Sequence, residues 1–145
     1  MLGDIVLFAP IVAKTTLLQI EALYGKRMYI VDESRINLAN ALNEMHQNEW
    51  AVSDWRDNAI KNINSVDAFE SIMPALGLAL EQTDYYAFDS CCGLALQFAG
   101  VARTTEQPKG LVLLLKLLNS HEVQLTRNNR KVKEIAKWFR ASNVI

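Results

Sequence analysis

Apolar residues recur at three- and four-residue steps along almost the whole chain, and strict alternation over more than four residues is hard to find. That spacing lines apolar side chains along one stripe of a helix, so it predicts helices throughout and an all-α fold. A first helix would run through Leu17, Leu18, Ile20 and Leu23, with Pro10 in its first turn and Gly25 just past its end. A second, capped by Asp32 or Ser34, would bury Leu38, Leu42 and Met45, with Ala39 and Ala41 beside them. Ser53 is the expected cap of a third, with Trp55, Ala59, Ile60 and Ile63 inward and Asp54, Arg56, Asp57 and Lys61 outward.

Pro74 divides the next stretch into two short segments, 65–73 and 75–80. Thr83 or Asp84 then starts the most apolar helix, through Tyr85, Phe88, Leu94, Leu96 and Phe98, whose low charge places it at the centre of a bundle. The pattern breaks at Gly100 or across 104–110, which contains Pro108. Residues 111–118 fit a short buried strand or a buried helix equally well by periodicity; with no partner strand in view they are assigned to a helix. Ser120 caps a further short turn in this reading. Residues 129–141 form the last helix, with Val132, Ile135, Ala136 and Phe139 on its buried face. The expectation is a single helical domain over residues 1–145, a bundle of about six to eight helices.

Composition agrees with one self-sufficient core. The chain has 145 residues, half of them apolar, and a chain of that size buries roughly two-thirds of its unfolded surface. No apolar run approaches the roughly 18 to 20 residues of a membrane span. Asp4 is the first charge, which argues against a secretory signal, and Cys91 and Cys92 are adjacent, a geometry that strains a bridge. Both are therefore expected as reduced thiols in a cytoplasmic protein.

The formal net charge of −1 hides a strong asymmetry. From Asp32 to Asp89 eleven acids face three bases, giving −8, whereas from Arg127 onward six bases face Glu134, giving +5. Such a field steers a basic protein partner toward the acidic region. Trp50 and Trp55 lie among those acids, and an exposed tryptophan within a charged rim is a suitable binding anchor. Taken alone, each is expected in the core, with the acids keeping the domain soluble.

Catalytic chemistry finds little support. His46 and His121 are the only histidines, and neither lies in a metal-ligand spacing. No nucleophile elbow or phosphate-binding glycine loop is present. Cys91 and Cys92 fall in the most apolar helix, where burial makes a thiol inert. The expectation is a protein that is not an enzyme and uses no cofactor or metal, with a small enzyme built on Asp89 and Cys91 as a remote alternative.

From Phe69 to Leu94 the residues Phe69, Glu70, Pro74, Tyr85, Ala87, Asp89, Cys91 and Leu94 resemble the pattern of the YjaG-like family of small all-helical bacterial proteins, and Arg27-Met28-Tyr29 is similar to that family's first-helix ending. The resemblance covers about the first two-thirds of the chain, and the basic C-terminal region departs from it. It implies a helical bundle, brings no catalytic residues, and suggests a partly buried ion pair between Arg27 and Asp89.

In physical type the chain resembles a bacterial immunity protein of contact-dependent growth inhibition, which binds and neutralises a cognate toxin, often a basic nuclease. On that reading Glu49, Asp54, Trp55, Asp57, Asp67 and Glu70 are the expected contacts with a basic toxin. The alternative is a nucleic-acid-associated helical protein using Arg127, Arg130, Lys131, Lys133 and Lys137. The sequence pI of about 6.1 stands against it.

Overall fold

Six α-helices and a terminal 3₁₀ turn follow one another in a computed structural model that describes residues 28–145. They are α1 (Met28–Glu44), α2 (Ala51–Ile60), α3 (Ser65–Leu80), α4 (Tyr85–Ala102), α5 (Leu111–Thr126), α6 (Arg130–Trp138) and the turn Ser142–Val144. No strand occurs among the described residues, and residues 111–118 are helical as expected. The expected helix through Leu17 and Leu23, its stop at Gly25, and Arg27 lie outside the described residues.

Contacts between these helices follow a simple order. α1 pairs with α2, α3 with α4 and α5 with α6, while α1 stacks on α3 and α3 on α5, and α2 stacks on α4 and α4 on α6. The result is three helical hairpins stacked in one direction, as in a short α-solenoid. The central α3–α4 hairpin has by far the most extensive contact. Its position follows from composition: α3 buries every residue from Ser71 to Leu80, and α4 buries Phe88, Cys91, Cys92, Leu94, Phe98 and three alanines. Because the hairpins stack in chain order, the charge asymmetry of the sequence becomes one of the molecule. The acidic α1–α2 hairpin sits at one end of the described stack and the basic α6 at the other.

Several helix boundaries differ from the sequence expectation. α1 already contains Asp32 and Ser34, so neither caps it. α2 begins at Ala51, because Asn48 Oδ1 accepts the Trp50 backbone N–H at 3.1 Å and turns the chain; Ser53 lies inside the helix. Pro74 does not break α3. Proline in a helix costs roughly 3 kcal/mol, but burying Ile72, Met73, Leu76, Leu78 and Leu80 returns about 1.5 to 3 kcal/mol for each. Packing on both sides therefore keeps one continuous helix. Its start is fixed locally, since Asn64 Oδ1 accepts the Asp67 N–H at 2.8 Å and Asn64 Nδ2 donates to Asp67 Oδ2 at 3.0 Å.

Asp84 caps α4 as expected, accepting the Ala87 N–H at 3.1 Å. Ser120 caps nothing, because α5 continues through it to Thr126. α6 buries Val132, Ile135 and Ala136, with Phe139 buried just beyond its end.

The start of α6 is secured from another helix. Asn129 makes no side-chain cap there. Instead the fully buried Glu122 of α5 accepts the backbone N–H of Lys131 at 3.0 Å and of Val132 at 2.9 Å. Tyr85 Oη donates to the same carboxylate at 3.1 Å. One side chain thus satisfies two of the orphan donors of α6 and ties α4, α5 and α6 together. Beside it, His121 Nε2 donates to the Gln82 carbonyl, and the His121 ring packs on Phe88 with centroids 5.6 Å apart.

Tyr85 carries a pH signature of this junction. Its phenol is pushed up to about 12, first by burial, then by the hydrogen bond to Glu122 and the charges of Glu122 and Asp89. The folded state therefore keeps a proton that the unfolded chain, near pKa ~10, has lost. The contribution to stability is complete below pH ~10 and disappears as pH rises toward 12. Urea unfolding should show a decline over that window, and Tyr85→Phe should flatten it.

Candidate functional site

A groove of about 850 Å³ opens at the acidic end of the stack, between α1, α2 and the first turns of α3. Glu33, Asn37, Asn40 and Glu44 face it from α1, at steps of three and four residues that place them on one stripe. Asp54 and Asn58 face it from α2, and Asp67 and Ser71 from α3, each pair one turn apart. Trp55, Ile63, Phe98 and three alanines supply the apolar part of its wall. Among the described residues four carboxylates and no Lys or Arg line it. Low-dielectric walls focus the field of such a set into the cleft.

Trp50, next in sequence to the lining residue Ala51, is 63% exposed. Trp55, in contrast, is buried, 9% exposed. The phase of α2 explains the exchange: with the helix starting at Ala51, the stripe Ala51, Val52 and Trp55 turns inward. Trp55, one of the expected contacts, thus belongs to the groove wall. Trp55 shapes the wall, and the tryptophan open to a partner is Trp50.

The other expected contacts separate into two groups. Asp54 and Asp67 line the groove, whereas Glu49, Asp57 and Glu70 do not. Glu49 and Asp57 are exposed outside it, and Glu70 is half-buried. Asp89 lies on α4, outside the groove lining, and forms an ion pair with Lys131 Nζ at 3.3 Å. Its expected partner Arg27 is outside the described residues.

The basic region is partly committed to structure. Lys131 also pairs with Glu134 at 3.2 Å. Burial of its ammonium works against the charge, but Asp89 first, and then Glu134, hold its pKa above the usual value. Arg127 takes the left-handed conformation that ends α5, with φ 63°. Arg130, Lys133 and Lys137 are exposed along α6.

The cysteines are both free and buried. Burial pushes both thiols well up, and neighbouring carboxylates add to this. An aromatic disulfide reagent should leave the folded protein untouched and modify both thiols only after denaturant is added. Among the described residues no group of three His, Cys, Asp or Glu side chains is placed to hold a metal ion. No described helix is long and apolar enough to cross a membrane.

Two features of the site escape a linear reading. The polar lining comes from three helices, from Glu33 to Ser71, with Phe98 of a fourth added far along the chain, and its asparagines carry no charge to attract notice. Glu122 did leave a signal: Leu111, Leu114, Leu118 and Glu122 follow the buried stripe of α5 at three- and four-residue steps. The chain matches no protein family, no curated protein and no solved structure.

Proposed function

We propose that this chain is a non-enzymatic protein-binding domain, an immunity protein that neutralises a basic toxin by covering its active-site surface. The observation that carries this reading is the convergence of Glu33, Glu44, Asp54 and Asp67 from three helices on one groove, with the exposed Trp50 next in sequence to its lining residue Ala51. The carboxylates would speed encounter with a basic surface. Trp50 would supply the desolvated aromatic contact that slows dissociation. Asn37, Asn40, Asn48 and Asn58 offer amide donors and acceptors between the charges, suited to the polar edge of such an interface.

The test is co-expression of the tagged chain with the product of each adjoining reading frame. A stable complex with one of them, and protection of the host cell from its toxicity, are expected. No complex and no protection would overturn the reading. Salt-sensitive binding to random duplex DNA or RNA would instead favour the exposed Arg130, Lys133 and Lys137 of α6 as the working surface.

A further inference from the structure

α6 carries a charged surface that complements the groove. Arg130, Lys133 and Lys137 are exposed on it, and their steps of three and four residues place them on one stripe, about 10 Å from first to last. None of the three forms a salt bridge to a described residue, whereas Lys131 is held by Asp89 and Glu134. The opposite face of α6, with Val132, Ile135 and Ala136, is buried, so the helix presents its cations without leaving the fold. On the acidic side, Glu33, Glu44 and Asp54 likewise pair with no described cation, and Asp67 meets only the neutral amide of Asn64. Glu33 and Glu44 are about 16 Å apart along α1, so the cationic stripe is short enough to lie within the acidic length of the groove.

α6 packs on α4, α5 and the terminal turn, while the polar lining of the groove comes from α1, α2 and α3. The two surfaces belong to opposite ends of the stack, so the match is between copies and not within one. A formal net charge of −1 leaves two copies with little overall repulsion to overcome. We infer that the α6 stripe of one copy docks in the acidic groove of a second, so that the chain self-associates head to tail. Each such contact leaves one groove and one stripe unused, and association therefore continues past the dimer. The inference needs only these two surfaces and stands independently of the toxin-binding proposal. Exposed ion pairs contribute little each, so the dissociation constant should be on the order of 0.1 mM, well above the concentrations at which a tight partner is titrated.

Sedimentation equilibrium of the full chain tests this. In low salt the average mass should rise from 16.3 kDa in dilute solution to more than twice that at about 1 mM. It should return to the monomer value in about 0.5 M salt, where screening shortens the reach of charge to a few ångströms. Glu44→Gln/Asp54→Asn and Arg130→Gln/Lys133→Gln/Lys137→Gln should each, alone, weaken self-association by about ten-fold or more. Mixed in equal amounts, the two variants together retain one intact stripe and one intact groove, so they should form a complex of wild-type affinity that stops at the 1:1 dimer. Lys61→Gln removes an exposed cation outside α6 and should change nothing. All of these positions are exposed, and substitutions there should leave the melting temperature close to that of wild type. Wild type that stays at the monomer mass at every concentration, an α6 variant that associates as wild type does, or a mixture that forms no 1:1 dimer would overturn the inference.

Discussion

Replacing Glu122 with alanine should lower the unfolding free energy by about 3 to 5 kcal/mol, a loss typical of opening a buried charged network. The carboxylate is fully buried and accepts from Tyr85 Oη and from the backbone of Lys131 and Val132. Truncation leaves the two amides without a partner in the interior, and each such donor costs about 1 to 3 kcal/mol. Loss of the helix-dipole contact at α6 adds about 0.3 to 1 kcal/mol. For a domain of this size the melting temperature should fall by roughly 10 °C. Glu122→Gln keeps one acceptor oxygen and should cost about half as much. Chemical denaturation of the two variants checks this, and a Glu122→Ala protein within about 1 kcal/mol of wild type would contradict the assigned role. Hydrogen exchange should place the damage first in α6, where the local Asn128 Oδ1 accepts only the Arg130 N–H and Glu122 accepts the next two.

The second large effect is on binding. Glu44→Lys combined with Asp54→Lys removes two of the four carboxylates facing the groove and installs two cations opposite the remaining Glu33 and Asp67. Glu44 is the last residue of α1, where a cation suits the helix dipole, while Asp54 is in the first turn of α2, where an acid does. The two dipole terms, about 0.3 to 1 kcal/mol each, oppose one another, so stability should change little. Affinity for a basic partner should fall at least 100-fold, about 3 kcal/mol, with much of the loss in the association rate. Surface plasmon resonance at two salt concentrations separates this from unfolding: the wild-type association rate should fall with salt, and that of the variant should not.

Particular residues show what the sequence makes legible. The stripe Val132, Ile135, Ala136 and Phe139 is readable because α6 is short, strongly two-sided and packed on one side alone. Pro74 misleads for the opposite reason. Its local penalty is real, but the ten consecutive buried residues around it respond to neighbours on several helices, which a local rule does not see. The Ser53 cap fails through competition, since Asn48 supplies the turning oxygen and burial of Ala51 and Val52 sets the helix phase. That shift decides which tryptophan is exposed, and with it the expected contact. The acidic character of the region was plain from charge counting, but its division between the groove and the open surface depends on how three helices meet. Asp54 and Asp67 face the groove while Glu49, Asp57 and Glu70 do not.

The charge separation along the stack offers two opposed surfaces, the groove at one end and α6 at the other. The most direct measurement is calorimetric titration of the partner recovered by co-expression into three proteins: wild type, Glu44→Lys/Asp54→Lys, and Arg130→Glu/Lys133→Glu/Lys137→Glu. Wild type and the α6 variant should bind with the same affinity, and the groove variant should show at least a 100-fold weaker dissociation constant. Binding that survives in the groove variant and is lost in the α6 variant would contradict the account.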